Sequence, residues 1–108
     1  MVFENERPTE PYFVISVASR IVGLHAQTLR YYDRVGLITP SRSMGRQRLY
    51  SMVDIERLRR IKTLTEEMGL NLAGAELALQ LMERLTKMQQ EIDQLKAEID
   101  RLNIITTS

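Results

Sequence analysis

The apolar and polar positions of this 108-residue chain change their spacing three times, and each change is read as a structural boundary. Val17, Ala18, Ile21 and Val22 make one helical face from about Ser16, and Gly23 ends it. A second helix is predicted from Ala26 to Arg34, with Leu29 and Tyr32 three apart and Gly36 as its stop. Only Gly23-Leu24-His25 separates the two, which is the helix-turn-helix pattern. Pro40 then breaks any helix. In Arg42-Ser43-Met44-Gly45-Arg46-Gln47-Arg48-Leu49-Tyr50, Gly45 suits a turn between extended flanks, so a small two-stranded wing is predicted. Ser51 followed by Asp54 reads as a capped helix start. Ile55, Leu58, Ile61, Leu64 and Met68 continue that helix to Gly69, and Asn71 is placed to cap the next one, with Leu72, Ala75 and Leu79.

From Ala78 the spacing becomes a heptad seam. Ala78, Leu85, Ile92 and Ile99 occupy a positions; Leu81, Met88, Leu95 and Leu102 occupy d positions. The seam covers about 38 Å of helix at 1.5 Å per residue. Its alternatives are packing back on the same domain and pairing with a second copy. Pairing is the preferred reading, because the chain offers no comparable apolar face. Ile at a with Leu at d favours parallel strands without forbidding antiparallel ones.

Charge sharpens the division. Residues 12–62 hold ten Lys/Arg against three acids, a net of +7, whereas residues 63–108 hold four against eight, a net of −4. A basic block in a chain of net charge +1 is the footprint of a polyanion binder, the alternative being a solvated basic face. The absence of cysteine excludes disulfides and thiolate metal sites and fits a reducing cytosol. With one histidine, no metal site or cofactor is expected, nor any catalytic constellation, so an enzyme is not expected. The adjacent Glu66 and Glu67 point apart on a helix and read as surface. No apolar run reaches membrane-span length, and Met1–Pro11 is polar and acidic rather than a signal peptide.

The segment ISVASRIVGLHAQTLRYYDRVG, followed by Leu37-Ile38 and the RQRLYS wing, resembles the MerR family of transcriptional regulators over roughly residues 12–82. ISVAS, HAQTLRYYDRVGL, TPSR and GLNLAG together are similar to its heat-shock repressor branch, HspR; a GLNLAG-type stretch also occurs in the glutamine-synthetase repressor branch. The implied fold class is all-α with a small β wing: a winged helix-turn-helix followed by a long C-terminal helix forming an antiparallel dimeric coiled coil. The implied organisation is a flexible arm (1–11), a DNA-binding domain (12–82), a dimerisation helix (83–105) and a tail (106–108).

The resemblance implies a cytoplasmic, nucleoid-associated homodimer on double-stranded DNA carrying an inverted repeat. Its second helix would enter the major groove and present His25, Gln27, Thr28, Arg30 and Tyr31. Gln reads adenine bidentately, Arg reads guanine or grips phosphate, and hydroxyls position the backbone. Arg30 and Tyr31 fall on the family's RYY contacts; the spacing of Tyr32 from Leu29 argues for its burial. The wing would add Arg42, Arg46, Arg48 (the family's wing arginine) and Tyr50, clamping flanking phosphates or the minor groove. Lys62 would approach the DNA backbone, whereas Arg57, Arg59 and Arg60 read as a solvated face. His25, opening the second helix, is read as a cap or a DNA contact. Leu81, Leu85, Met88, Ile92, Leu95, Ile99 and Leu102 would form the dimer seam.

Six residues, Asn-Ile-Ile-Thr-Thr-Ser, follow Leu102, so no sensor domain is expected after the coil. The heat-shock resemblance then implies a DnaK-type chaperone as co-repressor, contacting the coil surface, Ile104 and Ile105, or the first eleven residues. The expected function is repression of heat-shock or chaperone genes. Repression of glutamine-synthetase genes is the alternative within the family. Outside it stand a nonspecific architectural DNA binder and a coiled-coil adaptor without DNA binding, against which the basic wing and RYY segment argue.

Overall fold

The described residues open, after Pro11, on a strand that the sequence does not announce. In the computed structural model, which describes residues 11–107, β1 (Tyr12–Val14) leads directly into α1 (Ile15–Val22). The expected arm, residues 1–11, lies outside the described residues except for Pro11. α2 (Ala26–Arg34), β2 (Ser41–Arg42), β3 (Arg48–Ser51) and α3 (Met52–Lys62) follow. The predicted two-stranded wing is thus part of a three-stranded antiparallel sheet in the order β1-β3-β2. Tyr12 pairs with Ser51 and Val14 with Leu49, while Ser41 also faces Leu49 and Arg42 faces Arg48.

Each helix of this unit turns its apolar stripe inward. Ala18 and Val22 of α1, Leu29 and Tyr32 of α2, Tyr50 of β3, and Ile55, Leu58 and Ile61 of α3 are all buried, joined by Leu37 and Ile38. Burial of such side chains contributes roughly 1.5–3 kcal/mol each and dominates the stability of so small a unit. α3 starts where the sequence predicts, and Ser51 and Asp54 form a reciprocal capping box. The Asp54 N–H donates to Ser51 Oγ at 3.1 Å, and the Ser51 N–H donates to Asp54 Oδ2 at 2.9 Å. α3 does not run unbroken to Gly69. Thr63–Glu67 is a π-helical turn, marked by the Met68 N–H donating to the Thr63 carbonyl five residues back. Leu64 stays buried inside it.

The second unit is α4, a single helix from Leu72 to Thr107 that begins directly after Asn71. By its contacts the chain divides into two units between Asn71 and Leu72, and α4 runs without interruption through residues 82–83. Thr106 and Thr107, expected in a tail, continue it. Ala75 and Leu79 are buried, whereas the predicted seam from Leu81 to Leu102 is exposed, its residues between 44% (Ile92) and 64% (Leu85) accessible. Among the described residues no helix is long and apolar enough to cross a membrane.

Candidate nucleic-acid interface

The turn between α1 and α2 is built on one glycine. Gly23 adopts φ 74°, a left-handed conformation that costs L-residues with a Cβ about 1–2 kcal/mol. Its N–H and that of Leu24 both donate to the Ser19 carbonyl, at 2.9 and 3.2 Å, and the Ser19 hydroxyl donates to the Leu24 carbonyl. Lys62, at the end of α3, reaches across and donates from Nζ to the Val22 carbonyl at 3.2 Å. Its ammonium thereby satisfies a carbonyl that the helix end leaves open and complements the negative end of the α1 dipole. The geometry gives Lys62, expected as a DNA-backbone contact, a bond within the helix-turn-helix itself.

α2 emerges from that turn with one buried and one open face. Leu29 and Tyr32 point inward; His25, Gln27, Tyr31 and Arg34 are exposed; Thr28 and Arg30 are half-buried. His25 occupies the N-cap position, but its side chain makes no capping hydrogen bond, so the capping role considered for it is not met. Along the open face Arg30 Nη1 donates to Gln27 Oε1 at 2.9 Å, and the Arg34 guanidinium lies 5.5 Å from the Tyr31 ring centroid. The result is a ridge of polar and aromatic groups capable of bidentate hydrogen bonding and of stacking. Behind it, burial pushes the Tyr32 phenol above its ordinary pKa of 10.0; the nearby Glu66 charge adds to the rise, and a hydrogen bond with Thr65 opposes it.

The wing turns over three residues. The Ser43 N–H donates to the Gln47 carbonyl at 2.8 Å and the Arg46 N–H to the Ser43 carbonyl at 2.9 Å. The left-handed residue this loop needs is Arg46, at φ 70°, not the neighbouring Gly45. Arg42 and Arg48 stand directly opposite one another on β2 and β3. Like charges in that position repel. The structure resolves the conflict with Asp33, at the C-terminal end of α2. Its Oδ2 accepts from Arg42 Nη2 at 2.9 Å and from Arg48 Nε at 2.7 Å. Arg42 also donates from Nη1 to the Arg46 carbonyl at 3.3 Å.

Tyr50 requires a correction. Expected among the wing's DNA contacts, it is 0% exposed on the central strand, which packs against α1 and α3 as well as pairing with β1 and β2. Its hydroxyl is buried without a hydrogen-bond partner among the described residues. Burial raises its pKa; Arg48 opposes the rise, while Asp33 and Asp54 add to it. A buried phenol offers nothing to a duplex. Arg57, read as part of a solvated face, is half-buried and donates from Nε to the Leu37 carbonyl at 2.8 Å, fixing the loop after α2. Arg59 keeps the solvated character expected of it, 3.5 Å from Glu56. The residue missed outright is Asp33. Its signal was present as one of only three acids in the basic block.

Residues 13–82 match the model of the MerR HTH family of regulatory proteins. HspR of Streptomyces coelicolor, a protein named for heat shock, is 46% identical over 90 residues, which cover 83% of this chain and 60% of that protein. The HTH-type transcriptional regulator GlnR of Bacillus anthracis is 32% identical over 103 residues, 92% of this chain and 79% of its own length. This chain therefore spans less than two thirds of the first relative's length and about four fifths of the second's. Among solved structures, a MerR-family transcriptional regulator from Bacillus cereus shares the fold at a TM-score of 0.60, with 24% identity over 89% of this chain and 75% of that one. HiNmlR, a MerR-family regulator lacking the sensor domain and bound to promoter DNA, gives a TM-score of 0.56 at 25% identity, covering 85% and 76% of the two chains. These are matches to regulators, not to enzymes. The three-stranded wing, the glycine-hinged helix pair and the match over residues 13–82 agree: the chain belongs to the MerR family of helix-turn-helix regulatory proteins.

Proposed function

We propose that this protein is a sequence-specific transcriptional regulator that binds an inverted-repeat operator as a homodimer. The observation that carries the reading is the open face of α2. Gln27, Arg30, Tyr31 and Arg34 line it, and Arg42 and Arg48 of the wing are tied to the same helix through Asp33. This array lies in the segment of net charge +7. In the proposed complex α2 occupies the major groove. Gln27 and Arg30 exchange their mutual hydrogen bond for base edges, and Arg46 and Arg48 hold flanking phosphates. The DNA-bound state of HiNmlR supports this mode of action. The exposed seam of α4 supports the dimer, because about seven large apolar side chains on one stripe are otherwise left in water.

The likeness to HspR supports repression of heat-shock or chaperone genes; that to GlnR, covering more of its relative's length, supports a second reading, nitrogen-linked genes such as that of glutamine synthetase. Footprinting the purified protein on the source organism's chaperone and glutamine-synthetase upstream regions separates the two. Protection of an inverted repeat at the first supports the heat-shock reading, and protection only at the second replaces it. A DnaK-type co-repressor belongs to the heat-shock reading alone, and operator affinity unchanged by added chaperone removes it. A nonspecific architectural binder would share a steep salt dependence but show no preference for either region.

A further inference from the structure

We propose that Asp33 is a positioning residue for DNA recognition: it sets the wing against the recognition helix by neutralising the opposed Arg42–Arg48 pair. The inference rests on the DNA-binding reading above. Its starting point is an apparent contradiction. An acid on the helix that faces a polyanion weakens binding by simple electrostatics, and a strand pair that sets arginine opposite arginine repels itself. One carboxylate oxygen resolves both. Asp33 Oδ2 takes a charge-assisted hydrogen bond from each guanidinium, at 2.9 and 2.7 Å.

The partners' geometry gives the contact its purpose. β2 is two residues long and pairs with β3 through Ser41 and Arg42 only, so the ladder alone holds the wing weakly. Arg42 passes the constraint to the wing turn by donating to the Arg46 carbonyl at 3.3 Å. A continuous chain therefore runs from α2 through Asp33 and Arg42 to the tip of the wing. Arg48 engages Asp33 through Nε, which leaves its two terminal nitrogens for a phosphate. The Asp33 side chain is only 16% exposed, against 37% for Arg42 and 24% for Arg48. The acid is thus screened by the cations it organises, and the surface seen by DNA is basic.

The test uses the full-length protein, a duplex that the wild-type protein selects from a random pool, and an unrelated duplex of equal length. Pure electrostatics predicts that Asp33→Asn binds both duplexes more tightly. Positioning predicts that Asp33→Asn and Asp33→Ala lose about tenfold or more on the selected duplex, the scale of coupling between groups in one network, while binding the unrelated duplex as well as or better than wild type. In an Arg42→Gln/Arg48→Gln background the same Asp33→Asn change is predicted to cost nothing further, since the groups it acts through are gone. Thermal unfolding of each variant, with Asp33→Glu as the conservative control, separates a loss of recognition from a loss of fold. Tighter or unchanged binding of the selected duplex by Asp33→Asn overturns the proposal, as does a loss that persists in the double-glutamine background. A wild-type protein that prefers no duplex overturns the sequence-specific reading itself and this inference with it.

Discussion

At Gly23 two constraints meet that are separate elsewhere in the chain. Its φ of 74° disfavours a side chain on conformational grounds, and a Cβ there would lie 2.7 Å from Lys62 Nζ. Gly36 has the first constraint, at φ 82°, without the second, since nothing lies within 4 Å of its Cβ position. Gly36→Ala is therefore predicted to cost about 1 kcal/mol, from strain alone. Gly23→Ala is predicted to cost about 1 kcal/mol more, because the flexible ammonium must move aside and give up the Val22 carbonyl. Urea unfolding of the two variants measures the difference, and Lys62→Met should abolish it. Tyr50 yields a prediction of opposite sign. Its hydroxyl is buried without a partner among the described residues, so Tyr50→Phe is expected to be neutral or to stabilise by up to about 1 kcal/mol, with DNA affinity unchanged. The folded phenol's pKa is raised above 10.0, so on alkalinisation the unfolded chain ionises first. The stability held by the neutral phenol is complete below pH 10.0 and declines as pH rises beyond it, until the folded group ionises too. Unfolding midpoints measured on either side of pH 10.0 should fall less steeply in Tyr50→Phe than in wild type.

At the scale of elements, what sequence reveals depends on whether the determinant is local. α2 is legible to the residue because a glycine-bounded turn precedes it and Leu29 and Tyr32 set its inward face. The start of α3 is legible because its cap lies within four residues, Ser51 to Asp54. β1 is not. Three residues are too few to show alternation, and what makes them a strand is pairing with Leu49–Ser51, far along the chain. The π-helical turn is hidden for a related reason, since Ile61, Leu64 and Met68 keep helical steps whether the backbone closes over four residues or five. Asp33 is legible as an odd acid among bases but not as the bond between helix and wing, which needs the register of β2 against β3. The wing turn is half legible. A glycine marks it, yet the left-handed residue is Arg46 beside it. Arg46→Gly should relieve strain of about 1 kcal/mol and raise the thermal midpoint. If Arg46 holds a phosphate in the complex, the same variant should bind DNA more weakly with a shallower salt dependence, as seen in affinities measured across a salt series. A more stable variant that binds less well would separate the fold of the wing from its chemistry.

At the scale of the whole molecule, the proposed dimer rests on the exposed seam of α4. A helix of 36 residues with apolar side chains from Leu81 to Leu102 in water would, in the proposed dimer, gain stability from association as well as from propensity. If association stabilises the fold, the thermal midpoint must rise with protein concentration. Ile92 lies in the middle of the seam and is the least exposed of its residues from Leu81 to Leu102, at 44%. Ile92→Asp would put a charge at an a position in each copy and is predicted to give a monomer by sedimentation, with a concentration-independent midpoint. The consequence for DNA follows from valency. A dimer engages the second half-site as an intramolecular event, so the monomeric variant should lose about 100-fold or more on an inverted repeat. It should keep the wild-type subunit's affinity for a single half-site, because α2 and the wing lie in the other unit. The salt slope on the inverted repeat should fall by about half, since half as many phosphates are neutralised. A variant that becomes monomeric yet retains full affinity would assign DNA binding to one subunit and deprive the seam of its role in recognition. Loss of affinity for both sites together would mean that the recognition unit depends on the coil for its fold.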